Sequence, residues 1–311
     1  MRKDILARLR PLIGLVGLAV IVSLLSPRFL SVGNLLNVLR QTSINAVIAA
    51  GMTFVILTAG IDLSVGSVLA YAGAIMGSLL GSPLPFGLDL VIVLLFGAGI
   101  GVLTGIVITR GKVQPFIATF VSMTIFRGAT LVFTQGRPID TSSGKFANAF
   151  AFVGEGYLLG IPVPVVIMVL VFVVVYYVLR YTRFGRYVYA IGGNEEAARL
   201  SGLHTRLVKT AVYAVSGLLA ALAGIILTAR LSSAQPTAGT GYELDAIAAV
   251  VIGGTSLAGG SGTILGTLIG ALIIGILNNA LNLLNVSSYY QMIAKGAVIL
   301  IAVLLDRKSD K

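Results

Sequence analysis

Five charged side chains lie in or beside long apolar stretches: Asp62, Arg127, Glu243, Asp245 and Lys295. A charge at the centre of a bilayer costs about 2.5 kcal/mol or more unless it is paired or wetted, so each is a functional candidate. Asp62 follows Gly60 and precedes Leu63-Ser64, a setting that equally suits the cap of a helix start. Arg127 stands near the middle of its stretch and needs a carboxylate or carbonyl partner. Glu243 and Asp245 open a stretch too short to cross a bilayer as a regular helix. Lys295 is expected to snorkel outward. Asn278, Asn279 and Asn282 share one apolar stretch and could bond between helices or offer polar groups to a solute.

Other chemistries are missing. There is no G-x-x-x-x-G-K-[ST] phosphate loop, and Gly192-Gly193-Asn194 lacks the lysine. Neither H-E-x-x-H nor G-x-S-x-G occurs. The expectation is a non-catalytic chain that binds no cofactor. With no cysteine, disulfides and thiolate-bound metals are excluded. The single histidine, His204, reads as a surface loop residue rather than a metal ligand.

The elements that carry these residues belong to a membrane. Of 311 residues, 57% are hydrophobic and 11% charged, with a mean hydropathy of +1.01. A soluble domain carries about 25% charged residues. The net charge of +11 could suggest nucleic acid, but the basic residues gather at the ends of apolar stretches and no basic patch alternates with aromatics. Ten apolar stretches are read as helical spans: 11–26, 42–59, 63–80, 89–109, 115–134, 162–179, 207–229, 243–257, 263–284 and 289–305. The fold expected is a single all-α integral membrane domain over 1–311. Residues 1–10 form a basic lead, 27–41 an outer and helical connection, 135–161 the longest polar loop, and 306–311 a short tail. The first span could imitate a signal peptide, but no small-residue cleavage site is evident, so it reads as an uncleaved helix. Placing both termini in the cytoplasm puts fifteen of the 22 Lys and Arg residues inside, five outside and two within spans. The inverted arrangement would violate the positive-inside rule.

A polar island at 180–209 interrupts this pattern, with long apolar stretches on both sides. Within it, Asn194 to Gly202 reads as a short, complete helix. Asn194 can cap the start through its side-chain oxygen. Glu195 and Glu196 suit the positive end of the helix dipole and Arg199 the negative end. Gly202 can take the left-handed conformation that closes a helix. Arg180, Arg183, Arg186, Arg199, Arg206 and Lys209 surround it. The pattern is that of a cytoplasmic docking element, or of an ordinary helical loop.

The wording Glu196-Ala197-Ala198 followed by Gly202 resembles the E-A-A-x-x-x-G loop with which the permeases of ABC importers dock onto their ATPase subunit. Three further segments, Gly60-Ile61-Asp62-Leu63-Ser64-Val65-Gly66-Ser67, the run 229–260, and Val286 to Met292, are similar to the bacterial permeases for ribose and related sugars. The similarity runs from about Ser26 to about Leu305 and fades at both termini and around 140–160. It implies an inner-membrane permease subunit for a monosaccharide, ribose first among them. It further implies a homodimer, a separate ATPase that uses ATP and magnesium, and an external sugar-binding protein. ATPase coupling would fall to Asn194, Glu195, Glu196, Ala197, Ala198, Arg199 and Gly202.

A weak internal repeat adds candidates for the substrate path. Gly60-x-x-Leu63-x-x-Gly66-Ser67 recurs as Gly254-x-x-Leu257-x-x-Gly260-Ser261. Gly-interrupted spans in matching positions of two halves point to a transport site. Gly60, Asp62, Ser64, Gly66, Ser67, Gly254 and Gly260 therefore join Arg127, Glu243, Asp245 and the three asparagines as path candidates. Gly97, Gly99, Gly101 and Gly105 share one span, and Gly262, Gly266, Gly270 and Gly275 another, as expected where helix backbones approach closely. The rival reading is a proton-coupled secondary transporter acting alone. The repeat and the carboxylates Asp62, Glu243 and Asp245 favour it, and the capped island helix is unexplained by it.

Overall fold

The computed structural model describes residues 2–306, so the proposed tail at 306–311 lies almost wholly outside the described residues. Thirteen α-helices are found among them: α1 (Arg2–Leu25), α2 (Val32–Leu57), α3 (Val65–Leu79), α4 (Phe86–Thr109), α5 (Pro115–Thr134), α6 (Ala147–Glu155), α7 (Val163–Tyr181), α8 (Arg183–Gly193), α9 (Glu195–Leu200), α10 (Thr205–Leu231), α11 (Tyr242–Ile252), α12 (Ile264–Leu283) and α13 (Ser288–Asp306). Four two-residue strands complete the set: β1 (Ile139–Asp140), β2 (Tyr157–Leu158), β3 (Ile161–Pro162) and β4 (Ser233–Ala234). They pair antiparallel as β1 with β4 and β2 with β3. Six helices are long and apolar enough to cross a membrane: α2, α4, α5, α7, α10 and α12. Two shorter apolar helices are 11–25 and α3. The protein is an all-α, multi-pass membrane protein.

Several boundaries differ from expectation. The basic lead and the first apolar stretch are one helix, α1, with Pro11 inside it. Much of the expected outer connection 27–41 belongs to α2, which starts at Val32 behind Ser31, whose hydroxyl accepts from the Asn34 N–H. A cap decided that start, where hydropathy alone placed it ten residues later. The polar loop 135–161 holds helix α6, which packs on α10 where Gly154 lies against the Ala229–Arg230 backbone. In the same loop Asp140 accepts from the Ser142 hydroxyl, the Ser142 N–H and the Ser143 hydroxyl, which hold its carboxyl below the usual range.

Helices α2 and α10 form the centre of the bundle. From Thr42 to Leu57 every residue of α2 except Asn45 is buried. Helix α10 packs against α2, α3, α4 and α6. Its contact with α4 is made by backbone: a side chain at Gly97 would overlap Ala221, and one at Gly101 would overlap the Tyr213 carbonyl. Gly105 meets Thr210, whereas Gly99 faces open space. Close approach of small residues replaces the hydrophobic effect, which lipid cannot supply between helices. Helix α5 buries only Ala118, Thr119, Thr130 and Thr134, and exposes Phe116, Phe120, Val121 and Val132. Such an apolar outer face suits hydrocarbon.

The two short helices start in the middle of the bundle. Helix α3 runs alongside α10: Asp62 meets Ser216, Leu69 meets Gly224, and Gly73 meets Thr228. It therefore covers only the half of α10 beyond Ser216. Helix α11 lies against the first half of α12, with Ala249 on Gly270 and Gly253 on Gly266. The segment 232–241 folds back to place Gly239 directly against Gly66 at the start of α3. From that meeting point α3 and α11 run to opposite ends.

Candidate docking and substrate-path sites

The polar island is a helical hairpin. Thr182 caps α8, its hydroxyl accepting from the Gly185 N–H at 3.2 Å. The α8 periodicity turns Gly185, Val188 and Ile191 inward and leaves the arginines outward. Helix α9 follows as expected from the residues: Asn194 Oδ1 accepts from the Ala197 N–H at 2.9 Å. At its end Gly202 has φ +84, and the Leu203 N–H reaches the Ala198 carbonyl. Glu196 pairs with Arg199 on the helix surface, and Glu195 with Lys209 Nζ at 2.9 Å. Ala198 is buried against its own chain, because a helix this short must turn one side inward to stay seated. Ala197, Glu195, Glu196 and Arg199 stay exposed, together with Leu200 at 78% exposure. Leu200 is a docking candidate that residue typing missed.

The hairpin grips the bundle from below. At Gly192 a side chain would overlap the Leu57 carbonyl and the Gly260 backbone. The Gly260 N–H donates to the Leu57 carbonyl at 3.0 Å, and the Tyr189 hydroxyl donates to the Gly262 carbonyl at 2.9 Å. The end of α2, the end of α8 and the turn 253–263 therefore meet at one point.

The two copies of the sequence repeat differ in backbone conformation. Gly254 and Gly260 take φ +86 and +71, whereas their counterparts Gly60 and Gly66 take no such conformation. The second copy touches the end of α2 just before the first, through Gly260 on Leu57 and Gly259 on Ala59. The elements that face each other head-on are the starts of α3 and α11. A side chain at Gly66 would overlap the Gly239 carbonyl and lie 2.8 Å from Glu243 Oε2. Arg127 Nη1 reaches across from α5 and donates to the carbonyls of Pro236 and Ala238, each at 2.8 Å. Carbonyls, not a carboxylate, are its hydrogen-bond partners, and they pin the re-entrant segment.

Asp62 is buried and fully engaged. Its Oδ1 accepts from the Ser64 N–H at 3.0 Å and the Ser64 hydroxyl at 2.6 Å, and its Oδ2 from the Ser216 hydroxyl at 2.7 Å. This geometry ties the α2–α3 break to α10 and leaves little for a solute. Ser67 is buried with an unpartnered hydroxyl. Glu243 accepts from the Gly241 N–H at the start of its own helix.

Lys295 is a correction. It does not snorkel outward; its Nζ lies 2.9 Å from Asp245 Oδ2, because the buried carboxylate offers it a charged partner inside the bundle. The pair stands in a cavity of about 230 Å³ between α2, α10, α11, α12 and α13. Asn278 and Asn282 line it as well. Asn282 accepts from Gln291 at 2.9 Å, while the buried Oδ1 of Asn278 has no partner. Asn279 stands apart, in a reciprocal amide pair with Asn34 at 3.0 Å. Gln41, Thr42, Asn45, Arg230 and Tyr242 also belong to the polar lining and were not singled out from sequence. The available signal was weak: the polar residues Gln41, Thr42 and Asn45 at the start of the buried part of α2. The cavity lies far from the hairpin, since Arg230 is about 37 Å along α10 from its start, at about 1.5 Å per residue.

These features were compared with known proteins. Residues 34–303 match the family described as the permease component of the branched-chain amino acid transport system. The chain belongs to this permease family. Among its relatives, the ribose import permease protein RbsC of Haemophilus influenzae is 62% identical and aligns over 96% of this chain and 92% of its own. The protein of the same name from Bacillus subtilis is 57% identical, over 98% and 94%. The D-allose transport system permease protein AlsC of Escherichia coli (strain K12) is 40% identical, over 94% and 90%. No solved structure matches the chain significantly. The family description names amino acids while these relatives name sugars. The relatives carry more weight for substrate, because identity above one half constrains lining residues that a family description does not.

Proposed function

We propose that this chain is the membrane permease subunit of an ATP-driven importer that carries D-ribose into the cytoplasm. The observation that carries the reading is near-complete alignment at 62% identity to a ribose import permease. The structure supports it through the capped hairpin α8–α9, whose exposed face suits docking and whose inner face grips the breaks in the bundle. Separate ATPase subunits, using ATP and magnesium, engage Glu195, Glu196, Ala197, Arg199 and Leu200 on the cytoplasmic side. An external binding protein delivers ribose at the opposite end. Two copies of the chain form the translocation unit around a twofold axis, the commonest symmetry for such assemblies, in the bacterial inner membrane with both termini in the cytoplasm. Free energy enters through the different affinities of the partners for outward-open and inward-open states.

The test is reconstitution in liposomes. With the ATPase and the binding protein present, ribose should accumulate only when ATP is supplied. Ribose accumulation by the chain alone under a proton gradient would replace this reading with a secondary transporter.

A further inference from the structure

We infer that the elbow between α7 and α8 binds the headgroup of an anionic phospholipid. The inference goes beyond the ribose reading and holds whichever sugar is carried; the orientation proposed above places the lipid in the cytoplasmic leaflet. Helix α7 turns Phe172, Val175 and Leu179 into the bundle. On its opposite face Leu170, Val173, Val174, Tyr177 and Tyr181 are exposed, at positions i, i+3, i+4, i+7 and i+11 of one stripe. The stripe is aliphatic until its last two turns, where it becomes tyrosine. Tyr181 closes it in a ring cluster, 5.6 Å from Tyr177 and 6.2 Å from Tyr176 between centroids. Apolar rings with polar tips concentrate where hydrocarbon meets headgroups, so the cluster marks the edge of the bilayer. Beside it stand Arg180, in the last turn of α7, and Arg183 and Arg186 on α8, all exposed.

The island sorts its cations. Around α9, Arg199 pairs with Glu196 and Lys209 with Glu195. At the elbow, no carboxylate pairs with Arg180, Arg183 or Arg186 among the described residues. That surplus discriminates among occupants. A guanidinium offers a planar fork of donors that fits a phosphate, and each arginine near the surface strengthens attraction for anionic lipid about fivefold. A zwitterionic headgroup carries its own cation toward the same three positive groups and gains less. A second copy of the chain would bring 22 Lys and Arg against 11 Asp and Glu, and so little acid to neutralise them. The ATPase is expected on α9, whose exposed face offers Glu195, Ala197 and Leu200, while the elbow continues a face suited to hydrocarbon. An anionic phospholipid matches both parts, with acyl chains along the α7 stripe and a phosphate at the arginines. A headgroup held there fastens the elbow, and with it the root of the hairpin α8–α9, to the membrane surface.

The chain has no tryptophan, so one introduced indole is a background-free probe. Tyr177→Trp, in the full chain, is reconstituted in vesicles of equal amounts of phosphatidylcholine and phosphatidylglycerol. One lipid or the other is brominated on its acyl chains, and bromine quenches an indole that it touches. Brominated phosphatidylglycerol should quench at least about twofold more than brominated phosphatidylcholine, and rising salt should shrink the difference by screening the exposed charges. Leu95→Trp, on the exposed face of α4, is the control and should be quenched equally by both. Arg180→Gln combined with Arg183→Gln should bring the Tyr177→Trp signal to equality. Tyr181→Trp serves if Tyr177→Trp is not recovered in the membrane, and the salt dependence decides if the arginine variant is not. Equal quenching by both lipids in the chain with its native arginines overturns the site. Quenching by neither lipid overturns it in favour of a second copy covering this face. A preference that survives the loss of both arginines also overturns it, and if that variant no longer co-purifies with the ATPase, the arginines belong to the ATPase contact instead.

Discussion

Gly192→Ala is expected to disconnect ATP hydrolysis from ribose movement, and Gly193→Ala to be silent. The two glycines are neighbours at the end of α8, but their surroundings are opposite. A Cβ at 192 would overlap the Leu57 carbonyl oxygen and the Gly260 nitrogen, whereas one at 193 meets nothing within 4 Å. Relief at 192 requires the turn 253–263 to move away from α2. That movement breaks the 3.0 Å bond from the Gly260 N–H to the Leu57 carbonyl. Overpacking of this kind costs about 1–3 kcal/mol, and the lost hydrogen bond adds about 0.5–1.5 kcal/mol. A penalty of about 2 kcal/mol, falling on the state in which the turn is seated, shifts the balance of transport states about 25-fold. The exposed face of α9 is untouched, so the ATPase should still co-purify. The assay is the ratio of ribose imported to ATP hydrolysed in proteoliposomes. Equal ratios for the two alanine variants would refute the view that this backbone contact carries the motion.

Three other substitutions test separate contacts. Lys295→Met should destabilise the protein by about 3 kcal/mol, because it leaves Asp245 buried and unpaired; combining it with Asp245→Asn should recover most of that loss in thermal unfolding of the detergent-solubilised chain, and no recovery would deny the pairing. Arg127→Leu leaves the carbonyls of Pro236 and Ala238 without their donor and should reduce transport by loosening the re-entrant segment, at about 1–3 kcal/mol for each group. Arg127→Lys should rescue it only partly, since lysine lacks the planar fork, and normal uptake by the leucine variant would sink the assignment. Leu200→Asp, at an exposed position, should change stability by less than about 0.5 kcal/mol yet abolish co-purification with the ATPase; full co-purification would move the docking surface elsewhere.

The membrane class was legible in composition, and the cap and closure of α9 were legible in Asn194 and Gly202, because both depend on local chemistry. A side-chain oxygen three residues from a free N–H, and a glycine at a helix end, act within a few residues of chain. The same holds for the expectation that Arg127 must find a partner, since a charge in an apolar stretch demands one wherever the chain goes.

The identity of each partner was a tertiary matter. Asp62 could be read as a cap or a path residue, and Ser216, 154 positions away, decided for a closed structural site. Lys295 was expected to reach outward, until α13 packed beside α11 and offered Asp245. Ala198 was read as part of a docking face, and only the hairpin shows that it also packs against its own chain. The repeat Gly60-Leu63-Gly66 and Gly254-Leu257-Gly260 did not reveal that the starts of α3 and α11 come together at Gly66 and Gly239. Sequence specifies which backbones can approach closely, because glycine adds no Cβ. Which of them do approach is set by how helices from distant parts of the chain share one bundle, and the polar cavity exists only because α2, α10, α11, α12 and α13 enclose it together.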